Sequence, residues 1–228
     1  MGGCGLIHPP FFDRALLRAR DAPTPTFHHV EFEPTPTMKS PVSKVPSLRV
    51  LAIFNFTGTW VNLLKRKAQK NGKSTSYSTY EVFTGHIWRC ACRARNLQRD
   101  QLTRMHVSTN CRTCLQPVLA FGYFGKCYFS HCRIRMLDYV ELHPNPEALM
   151  QRPTHLSTLT LGSLVGQSYP FVRHILDGGR PLFIGPGVIK HEGQSYLLPS
   201  PKGDGSLSLV ICLHEEGMLL SKKYIYNI

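Results

Sequence analysis

Six of the eight cysteines fall in one stretch: Cys90-Ala91-Cys92, Cys111-Arg112-Thr113-Cys114, then Cys127 and Cys132. Few features restrict a fold as strongly. Four thiolates satisfy a tetrahedral Zn²⁺, and cysteine pairs separated by a loop are the usual plan of a structural site. Cys111 and Cys114 have the standard pair spacing. Twelve residues separate Cys114 from Cys127, and His131 and Cys132 follow shortly after. Two groupings fit this spacing. One takes Cys111, Cys114, Cys127 and either His131 or Cys132. The other takes Cys90, Cys92, Cys111 and Cys114, leaving the remainder for a second ion. Both predict zinc as the cofactor, held by a set drawn from Cys90, Cys92, Cys111, Cys114, Cys127, His131 and Cys132.

Compartment supports metal ligands over disulfides. The first thirty residues lack an apolar run long enough for a secretory leader, because Asp13, Arg14, Arg18 and Arg20 interrupt the only candidate. A cytoplasmic or nuclear location is therefore expected, where thiols stay reduced. No run of eighteen apolar residues predicts a transmembrane segment.

The formal net charge of +13 is concentrated in the same region. Between Lys65 and Arg135 fourteen Lys and Arg face only Glu81 and Asp100. Such a field gathers anionic partners, and a polyphosphate backbone answers it best. Lys65, Arg66, Lys67, Lys70 and Lys73 form one basic run, and Arg89, Arg93, Arg95 and Arg99 flank the first cysteines. Arginine forks grip phosphate, and nearby rings stack on unpaired bases. Trp88 and Tyr123 are the predicted stacking surfaces. The expected function is thus a zinc-stabilised binder of nucleic acid, RNA first, acting without catalysis. Small basic proteins of this kind occur among viral accessory factors and nuclear regulators. The alternative is a zinc-stabilised adaptor for an acidic protein partner.

The predicted fold class is α+β and β-rich: a small zinc-stabilised cysteine-cluster module, then an antiparallel hairpin or meander region. Residues 1–47 hold eight of the seventeen prolines and predict a disordered head. The cysteine-cluster domain spans 48–141, a proline-bearing linker 142–153, and the β-rich region 154–228. Within 48–141, Leu48 to Phe54 reads as a strand and Thr57 to Leu64 as a helix, with Thr59 as its cap. Tyr80, Val82, Ile87 and Trp88 suggest a strand leading into the cysteines. In the tail, residues 181–184, 188–191, 194–198, 207–214 and 218–226 read as short strands. Pro201-Lys202-Gly203-Asp204-Gly205 and Glu215-Glu216-Gly217 are among their turns.

A different chemistry is also readable. Gly125-Lys126-Cys127-Tyr128, with His191 further on before Gln194-Ser195-Tyr196, resembles papain-like proteases, including viral leader proteases. The resemblance implies Cys127 as nucleophile and His191 as base, with Asp204 or Asn227 orienting the imidazole.

Overall fold

The computed structural model describes residues 10–18, 21–24, 28, 48–69, 77–97, 100–110, 112, 115–120, 122–125, 127–136, 160–165, 189, 191–200 and 202–228. For 109–110, 128–136 and 160–165 only the backbone is described. The elements are strand β1 (Arg49–Phe56), helix α1 (Gly58–Gln69), helix α2 (Thr79–Ala94), and strands β2 (Leu102–Asn110), β3 (Tyr128–Met136), β4 (Thr160–Val165), β5 (Ser195–Pro199) and β6 (Leu207–His214). Helix α3 (Glu215–Tyr224) comes last. All six strands join one mixed sheet in the order β1-β6-β5-β4-β2-β3. β4 runs parallel to both β2 and β5; the other pairs are antiparallel.

That sheet takes strands from both sides of residues 142–153, which themselves lie outside the described residues, as do most of 1–47. The expected pair of a zinc module and a hairpin region is corrected by it: one sheet with helices packed on it replaces both.

β1 explains itself. Val50, Ala52, Phe54 and Phe56 alternate inward, while Leu51, Ile53 and Asn55 are exposed. This is the period of a half-buried strand. Its partner β6 is buried at six of eight positions, so it lacks that alternation. Register places Phe56 opposite Leu207, Phe54 opposite Leu209 and Ala52 opposite Ile211. Phe54, Phe56, Leu209 and Ile211 belong to the main core with Leu197 of β5 and Met105 and Val107 of β2.

The residues expected to form a strand before the cysteines form α2 instead. Ser78 and Glu81 make a reciprocal capping box: Glu81 N–H donates to Ser78 Oγ at 3.2 Å, and Ser78 N–H donates to Glu81 Oε2 at 2.7 Å. Two otherwise unpaired amides of the first turn are satisfied. Eleven of the helix's sixteen residues are buried, including Val82, Phe83, Ile87 and Trp88. α1 is capped by Thr57, whose Oγ1 accepts from Trp60 N–H at 3.3 Å, not by Thr59.

The expected last strand and its Glu-Glu-Gly turn are likewise α3. Glu215 and Glu216 occupy the first turn, and Lys222 and Lys223 the last. Both placements suit the helix dipole. Met218, Ser221 and Ile225 are buried at three- and four-residue spacing, a helical period. Between β5 and β6 the tail does make the expected hairpin, with Gly203 and Gly205 at positive φ (68° and 76°).

Candidate functional site

A cleft of about 370 Å³ opens where the β5–β6 loop meets the start of α1. The β1–β6 pairing sets it up, because it carries Asn55–Gly58 to the side of Leu198–Ser208. Phe56, Leu198, Pro199 and Leu207 give it an apolar floor. Thr57, Ser200, Lys202, Asp204, Ser206 and Ser208 bring polar groups to its rim.

Local hydrogen bonds hold that rim. Asp204 Oδ1 accepts from Ser206 N–H at 3.0 Å and from the Ser206 hydroxyl. These bonds, led by the hydroxyl, lower the pKa of the Asp204 carboxyl. Ser200 N–H donates to Ser206 O at 3.0 Å, closing the loop. Ser208 Oγ donates to Asn55 Oδ1 at 2.7 Å across the β1–β6 pair. Gly58 is required by the approach of the two segments: a Cβ there would lie 2.5 Å from the Asp204 carbonyl oxygen. The cleft therefore offers an ammonium, hydroxyls and an apolar floor. Those are groups that bind and orient.

A second described surface joins the beginning of the chain to residues 120–127. Phe11 N–H donates to Gly122 O and Phe124 N–H to Phe11 O, both at 2.8 Å. Leu119, Tyr123 and Cys127 form a small separate core beneath, and Leu17 and Leu115 pack on it. Phe12 and Phe124 stand exposed, edge to face at 5.4 Å.

The expected zinc site is corrected by this geometry. Cys90 and Cys92 lie two residues apart on one helix, about 200° around its axis, so they cannot chelate one ion. Both are buried in the main core; Cys127 belongs to the small one. Cys111 and Cys114 lie outside the described residues. His131 and Cys132 are placed on β3 by backbone alone, opposite Val107 and His106. Among the described residues no group of three or more His, Cys, Asp or Glu side chains could hold a metal.

Cys90 and His86 are instead core hydrogen-bonding groups. The His86 ring Nε2 lies 2.7 Å from Ile225 O and 3.5 Å from Cys90 Sγ. Burial above all, then the neighbouring arginines and Lys67, push the His86 pKa down to about 4, against the pull of the Ile225 bond. Burial pushes the Cys90 thiol up to about 11. Near neutrality the pair is uncharged, a poor basis for metal binding or thiolate chemistry.

The predicted stacking surfaces are corrected too. Trp88 is fully buried, with its indole N–H donating to Thr103 Oγ1 at 3.0 Å. Tyr123 is buried in the small core. Of the basic residues, Arg66 and Lys67 are exposed at the end of α1 and Lys65 is half-buried; Arg93 is exposed on α2. Arg89 donates to His86 Nδ1 at 3.3 Å. Arg95 is committed to Glu192, through Nε at 3.1 Å and a second, shorter bond. Lys70, Lys73 and Arg99 lie outside the described residues. The cysteine–histidine pair of the protease reading is split: Cys127 sits in the small core, and His191 in the turn before β5, where its N–H donates to Gln194 Oε1.

A mixed sheet with helices on it and a cleft at a strand-loop end describe an α/β domain. Comparison with known proteins makes the class specific. A profile of the Transferase family matches residues 2–144. The chain belongs to this family, that of the BAHD acyltransferases. It is 37% identical to shikimate O-hydroxycinnamoyltransferase of Nicotiana tabacum over 99% of its length and 60% of that protein's. It is 31% identical to rosmarinate synthase of Plectranthus scutellarioides over 96% of its length and 58% of the relative's. The chain thus spans about 60% of the curated relatives it matches. Among solved structures, vinorine synthase matches with a TM-score of 0.64 at 14% identity, over 95% of this chain and 53% of that one. TRI101 of F. graminearum matches at 0.62 and 17%, over 78% and 49%. These two likenesses are of fold. The family overturns the zinc-dependent RNA-binding regulator, the adaptor, the protease and the viral accessory setting together.

The sequence marks Lys202 and Asp204 only as turn residues and does not show the cleft, because its two sides come from segments about 150 residues apart that only the β1–β6 register unites. The capping box was visible as Ser78-x-x-Glu81.

Proposed function

We propose that this chain serves acyl transfer from a hydroxycinnamoyl-CoA thioester to the hydroxyl or amine of a small acceptor. The observation that carries the reading is the 37% identity to a shikimate O-hydroxycinnamoyltransferase over nearly the whole chain. Relatives at 34% include a hydroxycinnamoyl-CoA:5-hydroxyanthranilate N-hydroxycinnamoyltransferase, so both oxygen and nitrogen acceptors occur among them. In such a reaction the acceptor attacks the thioester carbonyl. The new C–O or C–N bond forms as the C–S bond breaks, and the acceptor's proton passes to a base. Donors placed at the developing oxyanion lower the barrier.

His86 is unsuited to be that base, since it is buried and its ring is engaged at both nitrogens. The positive charge that would attract a nucleic acid suits the phosphates of coenzyme A equally well. Lys202 and the hydroxyls of the cleft supply groups that could hold an anionic or hydroxylated part of a substrate.

The test uses the purified full chain with p-coumaroyl-CoA and either shikimate or 5-hydroxyanthranilate. Ester or amide product is followed by mass spectrometry, and donor binding by calorimetry. Saturable donor binding with product formation supports the reading; neither at millimolar substrate sinks it. A Lys202→Ala variant that raises KM at unchanged kcat would assign the cleft to substrate, and an unchanged KM would exclude it.

A further inference from the structure

β1 is the outermost strand of the sheet, with β6 on one side and no strand among the described residues on the other. The direction of its amides follows from neighbouring bonds. Cys212 N–H donates to Gln194 O, just before β5, and Gly193 N–H donates to Cys212 O. Residues of an antiparallel strand turn their backbone groups alternately to its two sides. Cys212 therefore faces β5, whereas Leu213, Ile211, Leu209 and Leu207 face β1 and meet Val50, Ala52, Phe54 and Phe56. The Leu48 carbonyl, which accepts from Glu215 N–H at 3.0 Å, keeps the same rhythm. The N–H and C=O groups of Arg49, Leu51, Ile53 and Asn55 are thus the ones that point away from the sheet.

The same positions carry exposed side chains. Leu51 and Ile53 are 55% and 54% exposed, and Asn55 is exposed on the same face. Val210 and Cys212, opposite Ile53 and Leu51, extend the apolar strip onto β6. Edge strands usually carry a lysine, a proline or a bulge that blocks pairing with another chain. β1 contains neither lysine nor proline, and its register with β6 is unbroken from Arg49 to Phe56. Arg49, at one end, is its sole charged residue.

We propose that β1 pairs antiparallel with β1 of a second copy of this chain, about a twofold axis at Ala52, joining two six-stranded sheets into one. Outward groups belong to odd-numbered residues, so these must face one another across the seam. An axis at Ala52 gives them the longest overlap. It sets Leu51 opposite Ile53 on both sides of the axis, and the two pairs form one apolar cluster on the outer face. Arg49 stands opposite Asn55 at each end of the ladder. The two guanidiniums are kept far apart, and no like charges meet. Asn55 also lines the cleft, so Arg49 of the second copy brings a guanidinium to its rim. Pairing along one strand covers less than the roughly 1,600 Å² of a standard interface. The dimer is therefore expected to be reversible, with a Kd on the order of 10 µM.

Sedimentation velocity of the full chain over roughly 1 to 100 µM tests the pairing. The expected result is a concentration-dependent rise from the monomer mass of 25.8 kDa toward twice that value. Ile53→Lys sets two ammoniums beside the axis and should keep the chain monomeric throughout. Leu51→Lys does the same and serves should the first variant fail to fold, with circular dichroism as the check. Ala52→Cys reports the register. Residues on the axis form a non-hydrogen-bonded pair with Cα atoms about 4.5 Å apart, within reach of a disulfide. Mild oxidation should therefore give a covalent dimer of Ala52→Cys well above the level seen with the native chain. A native chain that stays monomeric, a dimer that survives the lysine variants, or an Ala52→Cys chain that cross-links no more than the native one overturns the proposal. So does assembly beyond two copies, which a closed twofold pairing forbids.

Discussion

Gly58 and Asp204 approach so closely that a single methyl group on Gly58 would stand 2.5 Å from the Asp204 carbonyl oxygen. The obstacle is backbone, so relief requires movement of the β5–β6 loop or of the first turn of α1. Gly58→Ala is expected to destabilise the protein by about 1–3 kcal/mol, the usual cost of overpacking. Urea unfolding checks this, and an unchanged midpoint would show that the loop yields freely.

Ser78→Ala should cost about 1 kcal/mol, because the first turn of α2 loses its side-chain acceptor. Ser78→Asp keeps an acceptor but sets it beside the Glu81 carboxylate, so it should recover only part of the loss. Thermal melts of the two variants side by side give the comparison.

The Trp88 indole depends on Thr103 within a fully buried pair. Thr103→Val keeps the volume and removes the acceptor, leaving an N–H unsatisfied in the core. The expected loss is about 1–3 kcal/mol. Thr103→Ser should lose less, since it retains the oxygen. Denaturant titrations of both variants decide the matter.

Global stability should fall in mild acid. The His86 pKa is near 4 when folded, below its ordinary value of 6.5, so the unfolded chain binds the proton more readily. Its contribution is complete above about pH 6.5 and is lost as the pH descends toward 4, on the order of 3 kcal/mol in all. Subtracting the stability curve of His86→Gln from that of the native protein between pH 8 and 4 isolates this component; a difference independent of pH would refute it.

Chelation should leave the fold untouched. Cys90, Cys92, Cys127 and Cys212 are buried and are not joined in disulfides. Their labelling by a thiol reagent is expected to be slow in the native protein and equally slow with EDTA present. Faster labelling after EDTA would revive a metal role for these thiols.

Parts of the fold were legible in the chain. β1 shows its alternation openly, and the hairpin between β5 and β6 is marked by Gly203 and Gly205 in a polar loop. α2 was misread because Tyr80, Val82, Ile87 and Trp88 favour strands in isolation, whereas its capping box and nearly all-round burial favour a helix. α3 was misread because Glu215-Glu216-Gly217 has the composition of a turn; acidic residues in a first helical turn look the same. The cysteine spacing misled for a geometric reason. Once Cys90 and Cys92 lie on a helix, proximity in sequence no longer means convergence in space. The family is carried by similarity along the whole chain, which no short pattern displays.

β1 finds its hydrogen-bonding partner in β6, and Asn55 meets Ser208 at a separation of 153 positions in the sequence. A ribosome must therefore deliver Leu207–His214 before β1 can pair with them. Until then β1 has no strand beside it, and Phe54 and Phe56 lack the partners that bury them. Contacts so distant in sequence slow folding, and a waiting apolar edge invites self-association. Chains interrupted before Leu207 should accordingly accumulate as insoluble material and depend on chaperones during synthesis.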